Sequence, residues 1–217
     1  KTALITGATG GLGKEFACSL ASRGYNLVLV ARNKEKLDVL ATHLIKKFVV
    51  KVKVIAADLS DPNSPDLIFK TLQKENICIN VLINNAGFAT HGKFESLALS
   101  HELDQIQVNI TSIVHLTRLF LPSMVDQKKG YILNVASTAA FLPGPFMAVY
   151  YASKAFVFSF SQSLSEELRG SGVSVTVACP GPTNTGFAKN AGITSTPLFQ
   201  NFVMKPDRVV RESLDAM

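Results

Sequence analysis

The chain of 217 residues has no tryptophan and only three cysteines, Cys18, Cys78 and Cys179, far apart and without a CxxC pair. A scattered, odd set of this kind implies no disulfide framework and fits thiols kept reduced in a cytoplasmic compartment. Histidine is equally scarce, and His43, His91, His101 and His115 show no metal-ligand spacing, so no metal site is expected. No uninterrupted apolar run approaches the roughly 18 residues of a membrane span. The first residues already read as a strand, so no signal peptide is visible. Acidic residues are the minority, 16 against 22 basic, for a net charge of +6. The basic residues are dispersed, without interleaved aromatics. Their densest group, Lys46, Lys47, Lys51 and Lys53, reads as a solvated edge, and no nucleic-acid partner is expected.

What remains is rich in apolar residues, at 47%, and strictly alternating. Strand-like runs fall at Thr2–Thr6, Leu27–Ala31, Val52–Ala57, Val81–Asn84, Tyr131–Ala136 and Val173–Ala178. Between them the spacing predicts helices over Gly11–Arg23, Lys34–Lys47, Asp61 to about Glu75, Ser100 to about Val125, and Ala148–Leu168. Asp61-Pro62 and Ser100 read as helix starts, because short polar side chains cap free N–H groups and proline suits a first turn. Near-continuous apolar strands separated by helices imply a parallel sheet covered on both faces. The fold class is therefore α/β: one doubly wound (Rossmann) sheet in a single domain, residues 1–217. A last helix is expected from Asp207 to the end. A further strand often follows in such sheets and is expected to be missing here.

The first strand runs into Thr6-Gly7-Ala8-Thr9-Gly10-Gly11-Leu12-Gly13 and then a helix. Glycine allows positive φ and close approach of backbone to a phosphate. A helix N-terminus offers unpaired N–H groups and a positive dipole end. The position of the turn, between first strand and first helix, points to a dinucleotide. Gly7, Thr9, Gly10, Gly11, Leu12 and Gly13 are the expected contacts. An acidic residue about 20 positions on would select NAD. The chain has Ala31-Arg32-Asn33 there, with Arg32 nineteen residues after Gly13. A guanidinium can form charge-assisted bonds to a 2′-phosphate, so NADP(H) is the expected cofactor.

A second motif is Val149-Tyr150-Tyr151-Ala152-Ser153-Lys154. On a helix, residues three and four apart share a face, so Lys154 can approach either tyrosine. The spacing alone leaves both open.

Taken together, TGATGGLG (6–13), Asp58-Leu59, NNAG (84–87), Asn109, Ser137, YYASK (150–154) and PGPTNT (180–185) resemble the short-chain dehydrogenases/reductases of the ordinary, non-extended type. The resemblance covers about residues 1–189. It implies that Ser137, Tyr150 and Lys154 are catalytic and that Tyr150, thirteen residues after Ser137, is the active tyrosine. It implies that Asn109 is catalytic too, kinking the long helix and holding a water that passes protons from solvent to Lys154. Asp58 and Leu59 would contact the adenine. Asn84, Ala86 and Gly87 would flank the cofactor, with Pro180, Gly181, Thr183 and Thr185 facing its nicotinamide, and Tyr150 and Lys154 contacting it too. The chemistry would be reduction of a carbonyl, with Tyr150 as general acid. A cation would lower its ordinary pKa near 10; Lys154 and the oxidised nicotinamide would supply that field. Two departures stand out. Many NADP-preferring relatives carry a basic residue where this chain has Gly10, which leaves Arg32, helped by Lys14. The final strand of the family is also not seen.

The walls of the expected pocket are apolar: Phe141, Leu142, Phe146 and Met147 before the tyrosine, and Phe187, Ile193, Leu198, Phe199, Phe202, Val203 and Met204 in a substrate-loop segment at 186–205. They suit a hydrophobic ketone or aldehyde such as a 3-oxoacyl or steroid-like carbonyl, or equally a lid packing on itself. The competing readings are a non-catalytic NADP(H)-binding redox sensor and a nucleotide-sugar epimerase or dehydratase. The family further implies a homodimer or homotetramer joined through the two long helices.

Overall fold

Six runs of β-prone, apolar residues pair in parallel: β1 (Thr2–Thr6), β2 (Asn26–Ala31), β3 (Val52–Ala56), β4 (Val81–Asn84), β5 (Gly130–Val135) and β6 (Val173–Ala178), in the spatial order β3-β2-β1-β4-β5-β6. The computed structural model describes residues 1–193 and 203–217. Leu198, Phe199 and Phe202 of the expected pocket wall lie outside the described residues. The helices are α1 (Gly11–Ser22), α2 (Lys34–Phe48), α3 (Ser64–Lys74), α4 (Leu99–Ile106), α5 (Ser112–Asp126), α6 (Ala148–Glu167), the short α7 (Phe187–Asn190) and α8 (Pro206–Asp215).

Side chains alternate between the two faces of a strand, and both faces here are dry. Ala3, Ile5, Leu27, Leu29, Val81 and Ile83 meet Phe16 and Leu20 of α1, Leu37 and Leu44 of α2, and Val210 and Leu214 of α8. The opposite residues, Leu4, Val28, Val30, Leu82 and Ile132, meet Ile68 and Leu72 of α3 and Leu116, Phe120 and Met124 of α5. Two core layers around one sheet account for strands that read as unbroken apolar runs.

Two helix starts depart from the sequence reading. The Asp61 carboxylate accepts the Asn63 backbone N–H at 2.9 Å and its side-chain amide at 3.0 Å, which closes a turn instead of starting a helix. Helix α3 therefore begins three residues later, with Pro65 in its first turn. Ser100 does not cap the long helix; Ala98 precedes α4, without a side-chain cap. The long helix is also not uniform, since Gln107–Thr111 form a π-turn between α4 and α5. The stretch Leu99–Asp126 is long and apolar enough to cross a membrane by length and composition, although polar residues interrupt it. Its inner face packs on the sheet through Ile113, Leu116, Phe120 and Met124.

Strand order reverses between β1 and β4, which opens a crevice at their C-terminal ends. The glycine turn leaves β1 there, and the NNAG segment leaves β4 beside it.

Candidate active site

The crevice begins with a close backbone packing that only glycine permits. Gly7 and Gly11 hold φ of +64° and +50°, where a side chain is strained. At Gly13, a Cβ would sit 2.1 Å from the Gly7 carbonyl oxygen. Asn85 fixes the turn from the β4 side: its amide donates to the Thr6 carbonyl at 2.9 Å and the Gly7 carbonyl at 3.3 Å. The Thr6 hydroxyl accepts the N–H groups of Asn85 and Ala86, each at 3.0 Å. Helix α1 starts without a side-chain cap and without an acid in its first turn, so its leading N–H groups are unspent. The backbone cradle and the uncapped helix end fit a pyrophosphate. Gly10 is exposed, with no atom within 4 Å of where a Cβ would stand.

The other expected cofactor contacts gather around this turn with two qualifications. Thr9 is half-buried, and Thr185 lies over Gly11, its Cβ 3.1 Å from where a Cβ on that glycine would sit. Arg32 is exposed just past β2, whose Val30 carbonyl accepts the Ala8 N–H at 3.1 Å. No carboxylate pairs with Arg32 among the described residues. Asp58 is exposed and accepts the Ser60 N–H at 3.0 Å. Leu59, by contrast, buries its side chain in the core, and Leu12 packs against the opposite core layer. These two can reach a ligand through backbone only. Pro180 receives the Thr138 N–H at 3.0 Å, and the Thr183 hydroxyl donates to the Gly181 carbonyl at 2.9 Å. Val203 and Met204 return to this turn: Met204 N–H donates to Pro182 at 2.8 Å, and Asn184 N–H to Met204 at 2.9 Å.

Across the crevice stands the first turn of α6. Tyr150 is 8% exposed, in a cluster with Ala89, Ala139, Met147, Ala188, Ala191 and Ile193. Phe187 of α7 covers it, ring centroids 5.4 Å apart. Tyr151 is half-buried at the edge of the same cluster, its ring 6.0 Å from that of Tyr150, and packs on Gly144 so tightly that a Cβ there would lie 2.1 Å from it. The structure thus places the two neighbouring tyrosines in different settings. Ser137 caps the short turn Thr138–Phe141, its hydroxyl accepting the Ala139 N–H at 3.1 Å and facing the Tyr150 phenol.

Burial sets the charge states. Loss of water pushes the Tyr150 phenol up to about 12, against an opposing pull from the Ser137 hydroxyl. The Lys154 ammonium lies 5.8 Å from the Tyr150 ring centroid. Desolvation lowers Lys154 itself to about 8. Its Nζ donates to the Val135 carbonyl at 2.8 Å. In the chain alone, then, burial prevails and the phenol stays protonated at neutral pH. A phenol held protonated at neutral pH is suited to giving a proton.

Asn109 sits in the π-turn and is fully buried. Its amide donates to the Phe88 carbonyl at 3.0 Å and the Ser153 hydroxyl at 3.1 Å, while its oxygen accepts the Phe88 N–H at 3.1 Å. Gly87 nestles between them: a Cβ there would lie 3.1 Å from Asn109 Oδ1 and 3.5 Å from Lys154 Nζ. Asn84 serves the sheet, donating to Asn134 at 2.9 Å. Sequence reasoning missed Ser153, whose hydroxyl bridges Asn109 and the Tyr150 carbonyl, the latter at 2.7 Å. It also missed Cys179, a thiol raised by burial and close enough to Lys154 and Ser137 to feel both. Local spacing gave no signal for the Ser153–Asn109 contact, 44 residues apart, or for Cys179, 25 or more residues from Lys154 and Ser137.

Comparison with known proteins agrees with this geometry. The family description "short chain dehydrogenase" matches residues 1–195. A very-long-chain 3-oxoacyl-CoA reductase of Bos taurus is 40% identical over 192 residues, 86% of this chain and 61% of the relative. The 17-beta-hydroxysteroid dehydrogenase type 3 of Homo sapiens is 38% identical over 98% of this chain and 67% of its own length. A solved structure, a short-chain dehydrogenase from Sphingobium yanoikuyae in complex with NADPH, superposes with a TM-score of 0.92 at 37% identity, covering 99% of this chain and 83% of that one. The chain thus spans about three fifths of the bovine relative it matches.

Proposed function

The chain belongs to the short-chain dehydrogenase family, and on that footing we propose that it is an NADP(H)-dependent oxidoreductase that reduces a hydrophobic ketone or aldehyde to an alcohol. The observation that carries this reading is the convergence of Ser137, Tyr150 and Lys154 at the crevice that holds the glycine cradle. The turn Gly7–Gly13 and the α1 N-terminus would hold the pyrophosphate. Arg32, exposed beside that turn and without an ion-pair partner among the described residues, would hold a 2′-phosphate, and the NADPH complex of the Sphingobium relative supports the same choice. When bound, the cofactor supplies the hydride.

The chain's own residues do the rest. The Ser137 hydroxyl orients the carbonyl oxygen. Tyr150, kept protonated by burial, gives that oxygen its proton. Lys154, charged at neutral pH beside the Tyr150 ring, would stabilise the phenolate left behind. The apolar cluster around Tyr150 excludes water and favours a hydrophobic substrate. The names of the bovine and human relatives support a 3-oxoacyl or steroid-like carbonyl. The three free cysteines fit a cytoplasmic setting. Exposed Leu99, Leu103 and Ile106 on α4 and Phe156 on α6 support a homodimer or homotetramer through these helices.

The test is NADPH consumption, with NADH in parallel, by the full-length protein across a panel of aryl ketones, steroid ketones and 3-oxoacyl thioesters. Tyr150→Phe is expected to abolish turnover and Tyr151→Phe to keep most of it. The reverse pattern would overturn the assignment. Tight NADPH binding without turnover would favour the sensor reading.

A further inference from the structure

The segment that leaves β4, residues 86–90, touches both catalytic side chains of α6. Gly87 lies against Lys154, and Ala89 is buried in the cluster of Tyr150 and Met147. It runs beyond the sheet and has no neighbouring strand to take up its backbone groups. Side chains of the adjoining helix do so instead. Glu102, Gln105 and Asn109 recur at helical spacing on one stripe and all three are buried, none more than 4% exposed. Asn109 takes both backbone groups of Phe88. Gln105 Oε1 accepts the Thr90 N–H at 2.8 Å and the Thr90 hydroxyl at 3.3 Å. Glu102 Oε1 accepts the same hydroxyl at 2.5 Å.

Burying a carboxylate and two amides is costly unless they are bonded; Gln105 Nε2 finds no partner among the described residues, so the bonds through its oxygen carry the ladder, and the proposed chemistry uses neither Glu102 nor Gln105. We infer that Thr90, Gln105 and Glu102 are positioning residues, forming with Asn109 a side-chain ladder that sets where Gly87 and Ala89 meet Lys154 and Tyr150. This rests on the catalytic reading above for its consequence and on hydrogen-bond geometry for its existence. The ladder joins α6 directly, because the Asn109 amide also bonds Ser153, which bonds the Tyr150 carbonyl. Loosening it shifts the floor of the site by fractions of an ångström, which costs turnover more than binding.

Three variants of the full chain test the ladder. Gln105→Leu removes the acceptor of the Thr90 N–H. Thr90→Val removes only the hydroxyl, and Thr90→Ser restores it. Amide hydrogen exchange at residues 88–90 is read without turnover, beside kcat and KM for NADPH with the best carbonyl of the panel. Gln105→Leu and Thr90→Val are expected to speed that exchange about tenfold. They should lower kcat about tenfold with KM for NADPH little changed, and Thr90→Ser should return both to the parent values. Should Gln105→Leu not fold, the Thr90 pair carries the test alone. Unchanged exchange would overturn the ladder whatever the enzyme does. Faster exchange with an unaltered kcat would overturn its positioning role. A parent protein that reduces no carbonyl would instead sink the functional proposal, and the exchange result would still stand.

Discussion

Replacing Lys154 with methionine removes one buried charge while keeping the length of the side chain. Desolvation lowers the Lys154 pKa from 10.5 to about 8, equivalent to about 3 kcal/mol at 1.36 kcal/mol per pH unit. The unfolded chain keeps this proton up to about pH 10.5, the folded chain only to about pH 8. Below pH 8 both states are charged, and the folded state bears the full cost of burial. Between pH 8 and 10.5 the unfolded state binds more protons, so stability rises with pH as that cost fades. The hydrogen bond to the Val135 carbonyl offsets part of it, about 1.5 kcal/mol for a charged donor. Lys154→Met is therefore expected to be inactive yet more stable than the parent at pH 7, by about 1–2 kcal/mol. The advantage should vanish by pH 10. Urea unfolding at both pH values, followed by far-ultraviolet circular dichroism because the chain has no tryptophan, measures it. A variant less stable than the parent at pH 7, or a gain that persists unchanged at pH 10, would refute the desolvation argument.

The glycine turn gives a paired test. Gly13→Ala drives a Cβ into the Gly7 carbonyl and should destabilise the chain by about 3 kcal/mol, as for an overpacked site, and weaken NADPH binding. Gly10→Ala, in extended backbone with open space around it, should be neutral or slightly stabilising; thermal unfolding and NADPH titration compare the two. Arg32→Ala should weaken NADPH at least about tenfold, the worth of a charge-assisted bond, and leave NADH nearly unaffected. Equal loss for both cofactors in a binding titration would show that Arg32 does not read the 2′-phosphate.

The central strands β1, β2, β4 and β5 were legible because both of their faces are dry, so each appears as an apolar run; β3 and β6, at the sheet edges, are only half-buried and carry Lys53, Ser174 and Thr176 among their apolar residues. Helix α2 was legible through its apolar stripe; its N-cap, Asn33, which accepts the Lys36 N–H at 2.8 Å, was not read from the sequence. The start of α3 was not, because Asp61 can equally close a turn, and the choice depends on whether Asn63 reaches its carboxylate. The π-turn was invisible to periodicity, since one extra residue in a turn hardly alters an apolar stripe. Of the site, the glycine turn and Arg32 were readable from position alone. The choice between Tyr150 and Tyr151 was not; helical spacing admitted both, and only family resemblance selected one.

By itself the sequence determined an α/β sheet and a dinucleotide turn, each written in short stretches where periodicity, glycine and capping act, while Ser137, Tyr150 and Lys154 stood out through the family resemblance alone. The tertiary structure decided what those side chains experience. It put Tyr150 in a dry cluster and Tyr151 against Gly144, removed Lys154 from water, and hung the floor of the site on Asn109, Gln105 and Glu102. Those contacts join residues far apart along the chain, and the desolvation and hydrogen bonding that set their charge states exist only once the layers have packed.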